Sequence, residues 1–275
     1  MSSWKFAVTR LRFERAGATK TESEETLMSQ QPEIKTPADD KYAGMDLQEL
    51  PFAVLDNNYG QMETYCLDVI SSPEKANAPR PVVIFVHGGG FLNHCNKRQG
   101  YIPTFSHALT SAGYVVISPD YPSFNSSADR DAAGGFKIAA DRAAAAVHAA
   151  YGYIQQHAEA LNLDASRVAI MGGSAGGMTG FAAVANYEDD YRFFVNCWGS
   201  PPEPPSLAGF PPVLSIHGTE DQLLDYNLEL PIQKQLEELG IRHELITLVG
   251  AKHTPMSRFD EYIPTVLAYL EDTMK

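Results

Sequence analysis

Gly172-Gly173-Ser174-Ala175-Gly176 has the Gly-x-Ser-x-Gly pattern that can present a serine hydroxyl for nucleophilic attack. It stands between Arg167–Met171 (RVAIM), an apolar run that reads as a strand, and Met178–Asn186, which suits a helix. Glycines are needed at such a turn because Cβ atoms would collide with neighbouring backbone; the serine Oγ then projects beside a helix N-terminus. A plain Gly/Ser-rich connection gives the same pentapeptide, so the strand before it and the helix after it carry most of the signal. The glycines fit neither Gly-x-Gly-x-x-Gly nor Gly-x-x-x-x-Gly-Lys, which leaves nucleotide binding unsupported.

A serine that attacks a carbonyl also needs a base, a group to orient the base, and donors for the developing oxyanion. His87-Gly88-Gly89-Gly90 directly follows Pro81–Val86 (PVVIFV), and its glycines let backbone amides approach a carbonyl oxygen closely. Three carboxylates, Glu220, Asp221 and Asp225, follow the strand-like Val213–His217 (VLSIH). His253 is the only histidine in the loop between His243–Val249 (HELITLV) and a closing helix from Ser257 to Tyr269. His148 and His157 fall in a long helix and His243 opens a strand, so each reads as a surface or core histidine. Serine, carboxylate and histidine come in the chain order expected when a nucleophile elbow lies between strand and helix.

On these motifs the sequence from about Leu50 to the C-terminus resembles the α/β-hydrolase superfamily. Within it the likeness is to the HGGG-type carboxylesterases, the hormone-sensitive-lipase-like esterases and lipases. The HGGG motif, a strand ending in Asp120-Tyr121, the elbow at Ser174, the segment His217-Gly218-Thr219-Glu220-Asp221 and then His253 occur in the family's order. The resemblance implies Ser174 as nucleophile, Asp221 as acid and His253 as base, with Glu220 and Asp225 as alternatives for the acid. It implies an oxyanion hole made by Gly88, Gly89 and the amide of Ala175, with His87 bracing the loop. Phe91, Asn93 and Cys95, close behind that loop, are candidates for the substrate pocket.

The implied activity is hydrolysis of small carboxylic esters through an acyl-enzyme on Ser174, with no cofactor and no metal. The same triad also serves acetyl or feruloyl sugar esters, aryl formamides and small peptides, and a hydrolase-fold protein that binds without turnover is a further reading. Between the strands at Phe193–Trp198 and Val213–His217 lie only Gly199–Pro212 (GSPPEPPSLAGFPP), where lipases of this fold insert a helical lid. By that analogy an open cleft for short acyl groups or a bulky alcohol is expected.

The scaffold that must hold these residues is written in alternating segments. Strands are predicted at Pro51–Leu55, Gln61–Ile70, Pro81–Val86, Tyr114–Ser118, Arg167–Met171, Phe193–Trp198, Val213–His217 and His243–Val249. Helices are predicted at Ile102–Ala112, Ile138–Ala160, Met178–Asn186, Leu228–Leu239 and Ser257–Tyr269, with a loop between Ser118 and Ile138. The alternation predicts an α/β fold, an α/β-hydrolase architecture with a mostly parallel central sheet flanked by helices and a minimal cap. Residues 1–49 read as an N-terminal arm, flexible or cap-forming, and 50–275 as the catalytic domain.

A formal charge of −13 over 275 residues disfavours nucleic acid and anionic membrane surfaces as partners. No apolar run approaches the roughly 20 residues of a membrane span. Cys66, Cys95 and Cys197 form no Cys-x-x-Cys pair and leave one over under any pairing, which suits a reducing, cytoplasmic location. Lys5, Arg10, Arg12, Arg15 and Lys20 make the start basic, so a targeting segment, or a true start at Met28, stays open. The expected partner is a small-molecule ester, and a homo-oligomer is left open.

Overall fold

The computed structural model describes residues 40–98 and 100–274; the expected N-terminal arm lies outside them as far as residue 39. Eight strands form one sheet: β1 (Asp46–Asp56), β2 (Met62–Ser71), β3 (Arg80–Val86), β4 (Val115–Pro119), β5 (Leu163–Gly173), β6 (Tyr191–Cys197), β7 (Val213–Gly218) and β8 (His243–Leu248). Their order is β1-β2-β4-β3-β5-β6-β7-β8. The β1/β2 and β2/β4 pairs are antiparallel, and every pair from β4/β3 to β7/β8 is parallel. Pro51 is tolerated in β1 because that strand has a free edge, and a register shift follows it between Pro51 and Ala53.

Six helices accompany the sheet: α1 (Ile102–Ser111), α2 (Ser127–Ala132), α3 (Gly135–His157), α4 (Ala175–Asn186), α5 (Glu229–Glu238) and α6 (Phe259–Thr273). The α2 helix lies where a loop was expected. Six residues are too few to show helical periodicity, but the Ser126 side chain accepts from the Asp129 N–H and caps it.

The central strands bury both faces, and their side chains divide with the two-residue period of a strand. Val82, Ile84 and Val86 of β3, Val115 and Ile117 of β4, and Val168 and Ile170 of β5 share one core with α3, α4 and α5. Val83 and Phe85, Val116, and Ala169 and Met171 point the other way, into a second core with α1 and α6. The alanines of α3 at 139, 140, 143, 144, 146 and 150 are buried, so this helix presents a smooth face to the sheet. Among the described residues no helix is long and apolar enough to cross a membrane.

The parallel strands end together at one edge, and glycines set how closely their ends approach the helices. A Cβ on Gly176 would lie 2.1 Å from the Val86 carbonyl oxygen, and one on Gly172 would lie 2.2 Å from that of Gly176. Gly152, inside α3, has nothing within 4 Å of the place a Cβ would take. We expect Gly152→Ala to stabilise the protein by about 0.5–1 kcal/mol, the helix-propensity difference. Gly176→Ala should destabilise it by about 3 kcal/mol or more through backbone overlap. Thermal melts of the two variants decide this: equal melting temperatures would mean the elbow backbone is free to shift.

Candidate active site

Ser174 is held at φ 56, ψ −121 at the junction of β5 and α4, a left-handed backbone that an L-residue adopts only under constraint. Its N–H donates to the Cys197 carbonyl at 2.9 Å, and its carbonyl accepts from Gly177 at 2.9 Å and Met178 at 3.2 Å. The strand behind it and the helix ahead of it therefore fix the turn on both sides.

His253 Nε2 lies 2.9 Å from Ser174 Oγ, and His253 Nδ1 lies 2.7 Å from Asp221 Oδ2. The loops that carry Asp221 and His253, which follow β7 and β8, are sewn to each other. Thr219 N–H donates to the Leu248 carbonyl, Glu220 N–H to that of Ala251, and Gly250 N–H to the Thr219 hydroxyl. Gly218 allows this contact, since a Cβ there would sit 2.3 Å from the Ala251 oxygen. Burial alone would raise the Asp221 pKa. The N–H groups of Leu224 and Leu223, together with the His253 ring, outweigh burial and hold the carboxyl below its ordinary value.

The other two carboxylates behave differently. Asp225 caps a single 3-10 turn, Tyr226–Leu228, by accepting from the Asn227 N–H, and is exposed. Glu220 is exposed as well.

The HGGG loop departs from expectation at one position. The Gly88 N–H already donates to the Tyr101 hydroxyl at 2.7 Å, and that hydroxyl donates to the Gly173 carbonyl at 3.1 Å. Gly88 is thus a tie between the loop and the elbow, and its amide is not free to meet an oxyanion. The amides of Gly89, Gly90 and Ala175 have no acceptor among the described residues. Gly89 and Gly90 also take positive φ values, 104 and 64, that favour glycine. A Cβ on Gly88 would meet the Gly173 oxygen at 2.6 Å, so Gly88 is required for the approach of the two segments.

His87 and Tyr121 brace the same loop. Their rings stack at 4.1 Å between centroids, and the Tyr121 hydroxyl donates to the carbonyls of His87 and Gly88. His87 Nδ1 faces the Gly88 oxygen at 2.9 Å, which assigns the ring proton to Nδ1. Burial drives the His87 pKa down to about 4, only partly opposed by the Gly88 carbonyl and the Asp120 carboxylate, so the ring is neutral near pH 7.

Of the three expected pocket residues, Phe91 is fully buried, packed against Tyr121 and Phe136. The αL turn at Gly90 and Phe91 directs that side chain into the core. Asn93 and Cys95 instead line a cleft of about 780 Å³ with His87, Tyr59, Tyr65 and Asn125. Asn93 donates to the Asn125 side chain at 2.8 Å, and burial pushes the Cys95 thiol up. Lys97, ion-paired with Asp120 and Glu49, and Arg98, paired with the buried Asp68, hold the loop in place.

Three residues of this framework were not singled out from sequence: Tyr101, His217 and Glu229. His217 stands inside the VLSIH motif, but a tyrosine at the head of a helix and a glutamate in a helix's first turn carry no local signature. Among the described residues no three of His, Cys, Asp and Glu gather as they would to hold a metal ion.

Because the folded pKa of His87 lies near 4 and the unfolded value near 6.5, the unfolded chain takes up this proton first as pH falls. Native stability tied to His87 is therefore intact above pH 6.5 and is lost between 6.5 and 4, by about 3 kcal/mol in total. Urea unfolding at pH 7 and pH 4 should show wild type losing about that much more than His87→Gln. Parallel losses in the two proteins would show that His87 charges freely in the fold.

Residues 67–197 match the BD-FAE family model. No curated protein matches the sequence. Among solved structures, Thermogutta terrifontis esterase 2 phosphonylated by cyclosarin is similar at 17% identity and a TM-score of 0.67, over 87% of this chain and 97% of that one. A bacterial heroin esterase is similar at 18% identity and 0.65, over 92% and 88%. A truncated carbohydrate esterase from gut microbiota is similar at 18% and 0.62, over 87% and 99%. The chain has the fold of these esterases, a mostly parallel sheet flanked by helices, with Ser174, His253 and Asp221 in one hydrogen-bonded row at its strand ends.

Proposed function

We propose that the protein is a serine carboxylesterase that cleaves small esters through an acyl-enzyme on Ser174. The observation that carries this reading is the continuous row from Ser174 Oγ to His253 at 2.9 Å and from His253 to Asp221 at 2.7 Å, on a strained elbow beside free backbone amides. His253 takes the hydroxyl proton as Ser174 attacks the ester carbonyl, and Asp221 holds the Nδ1–H tautomer and stabilises the cation. The amides of Gly89, Gly90 and Ala175 receive the oxyanion. His253 then protonates the leaving alcohol, and water repeats the sequence to free the acid.

The segment after β6 supports a short acyl preference. Residues 198–212 contain no helix or strand, and Leu207 and Phe210 fold down into the core, so this segment builds no lid. The cleft near Asn93 is polar, with Asn57, Asn93, Asn125, Ser123 and Tyr59 along its wall, but none of Ser174, His253 and Asp221 lines it, so it carries no assignment of the alcohol. The similar structures fit a small ester: one is a carbohydrate esterase, and a second Thermogutta terrifontis esterase 2 structure is bound to propionate.

A fluorophosphonate probe should label wild type and not Ser174→Ala, and the variant should lose esterase activity while keeping its melting temperature. Turnover by Ser174→Ala comparable to wild type would end the proposal. On p-nitrophenyl esters, kcat/KM should peak at about two to six acyl carbons, because a methylene contributes up to ~0.8 kcal/mol only where it finds a wall. A steady rise to long chains would instead reveal an acyl tunnel.

Asp221→Asn should lower kcat by about 10⁴, as loss of the orienting carboxylate does in triads. Asp225→Asn keeps a side-chain oxygen for the Asn227 N–H, so it should change stability by less than about 0.5 kcal/mol and leave kcat near wild type. Reversal of that order would reassign the acid.

A further inference from the structure

Asp221 has a second imidazole on the side away from Ser174. Its Oδ1 accepts the N–H groups of Leu223 at 2.8 Å and Leu224 at 3.0 Å. Its Oδ2 faces His253 Nδ1 at 2.7 Å and also His217 Nε2 at 3.1 Å. His217 Nε2 is in addition 2.9 Å from the Leu224 carbonyl oxygen. Two acceptors converge on that nitrogen, so it carries a proton.

Behind the ring, His217 Nδ1 faces Glu229 Oε1 at 3.5 Å, and both side chains are wholly shielded from solvent. At that distance the attraction is chiefly coulombic. Glu229, in the first turn of α5, accepts from Asn196 Nδ2 at 2.7 Å, from Gln233 Nε2 at 3.1 Å and from the Ser200 hydroxyl. Its ion-pair partner among the described residues is His217. A carboxylate this deep is unfavourable without a counter-charge. Tyr226 also packs against the ring, edge-on at 5.9 Å between centroids. Burial alone would lower the His217 pKa, but Glu229, the Leu224 carbonyl and Asp221 together hold it above its ordinary value.

Building on the reading of Ser174, His253 and Asp221 as a triad, we propose that His217 and Glu229 are positioning residues that continue the row inward, with an imidazolium at His217 clamped between the Asp221 and Glu229 carboxylates. The order is then Ser174, His253, Asp221, His217, Glu229. No proton moves through His217 in the reaction. Its cation draws on the same Asp221 oxygen that His253 uses. Its N–H also fixes the plane of the carboxylate, with the two Leu N–H donors fixing the other oxygen.

Glu229→Gln keeps the size and the acceptor for Asn196 and Ser200 but removes the counter-charge. His217 then gives up its proton, and Asp221 acts undiluted on His253. The acid limb of the kcat/KM profile on p-nitrophenyl acetate should move upward by about one pH unit. At a pH on that limb this is roughly a tenfold loss. His217→Gln should move the limb the same way, and the double variant should move it no further than His217→Gln alone. A lowered melting temperature with an unmoved acid limb in both single variants would leave these residues a purely structural role and overturn the proposal.

A second readout does not depend on turnover. Nitrogen-15 spectra of wild type near pH 7 should show both ring nitrogens of His217 protonated, and those of Glu229→Gln only one. A neutral His217 in wild type overturns the proposal whatever the kinetics. If wild type hydrolyses no ester yet His217 is doubly protonated, the esterase reading fails while the buried ion pair stands.

Discussion

Ser174 occupies a backbone conformation that costs a non-glycine residue about 1–3 kcal/mol, so the surrounding chain must over-determine it. The structure does this by crowding. Gly172 and Gly176 let β5, α4 and the end of β3 approach until no Cβ would fit, Gly173 leaves room for the Tyr101 ring, and a Cβ on Gly199, beyond β6, would lie 2.5 Å from the Ser174 carbonyl oxygen. The hydrogen bond from Ser174 N–H to Cys197 ties the nucleophile to β6, and the Tyr101 hydroxyl ties the elbow to the HGGG loop. The two flanking cores supply the apolar burial that keeps these strand ends from drifting apart.

The rest of the site follows from which strand ends are neighbours. In a sheet ordered β3-β5-β6-β7-β8, the HGGG loop lies on one side of the elbow and the loops that carry Asp221 and His253 on the other. His253 stands in the loop after β8, the edge strand of the described sheet on that side. Contacts between the 219–220 and 248–251 backbones let β7 hold it in register.

The strands of the parallel sheet were legible because burial on both faces leaves near-continuous apolar runs such as PVVIFV and VLSIH. The row of Ser174, His253 and Asp221 was legible as a candidate because each residue follows such a run. Legibility failed where a role depends on which of several similar groups is already occupied. Nothing in His-Gly-Gly-Gly shows that the first glycine's N–H is consumed by a tyrosine hydroxyl from a helix N-terminus thirteen residues on. Phe91 looked like a pocket residue because it follows the loop, yet its direction is set by two consecutive left-handed residues. Glu229 could not be read as buried, since a glutamate opening a helix is ordinarily a solvated dipole partner.

The two sides of Ser174 differ in charge, and under the proposed mechanism that difference has a purpose. On the oxyanion side the groups that touch Gly88 are neutral, the Tyr101 and Tyr121 hydroxyls and a His87 ring that burial keeps uncharged, and the Arg130 guanidinium on the loop donates to the Gly90 carbonyl and is paired with Asp131. A cation aimed at the oxyanion itself would attract any anion, including the product carboxylate, as readily as the transition state, and binding ground and transition states alike does not raise kcat. Backbone dipoles instead respond most to the oxygen that gains charge as Ser174 attacks. On the base side the positive charge appears on His253, next to a carboxylate whose oxygens are already committed to fixed donors. Little reorganisation is then required when the imidazolium forms, because the counter-charge and the groups that hold it are in place beforehand.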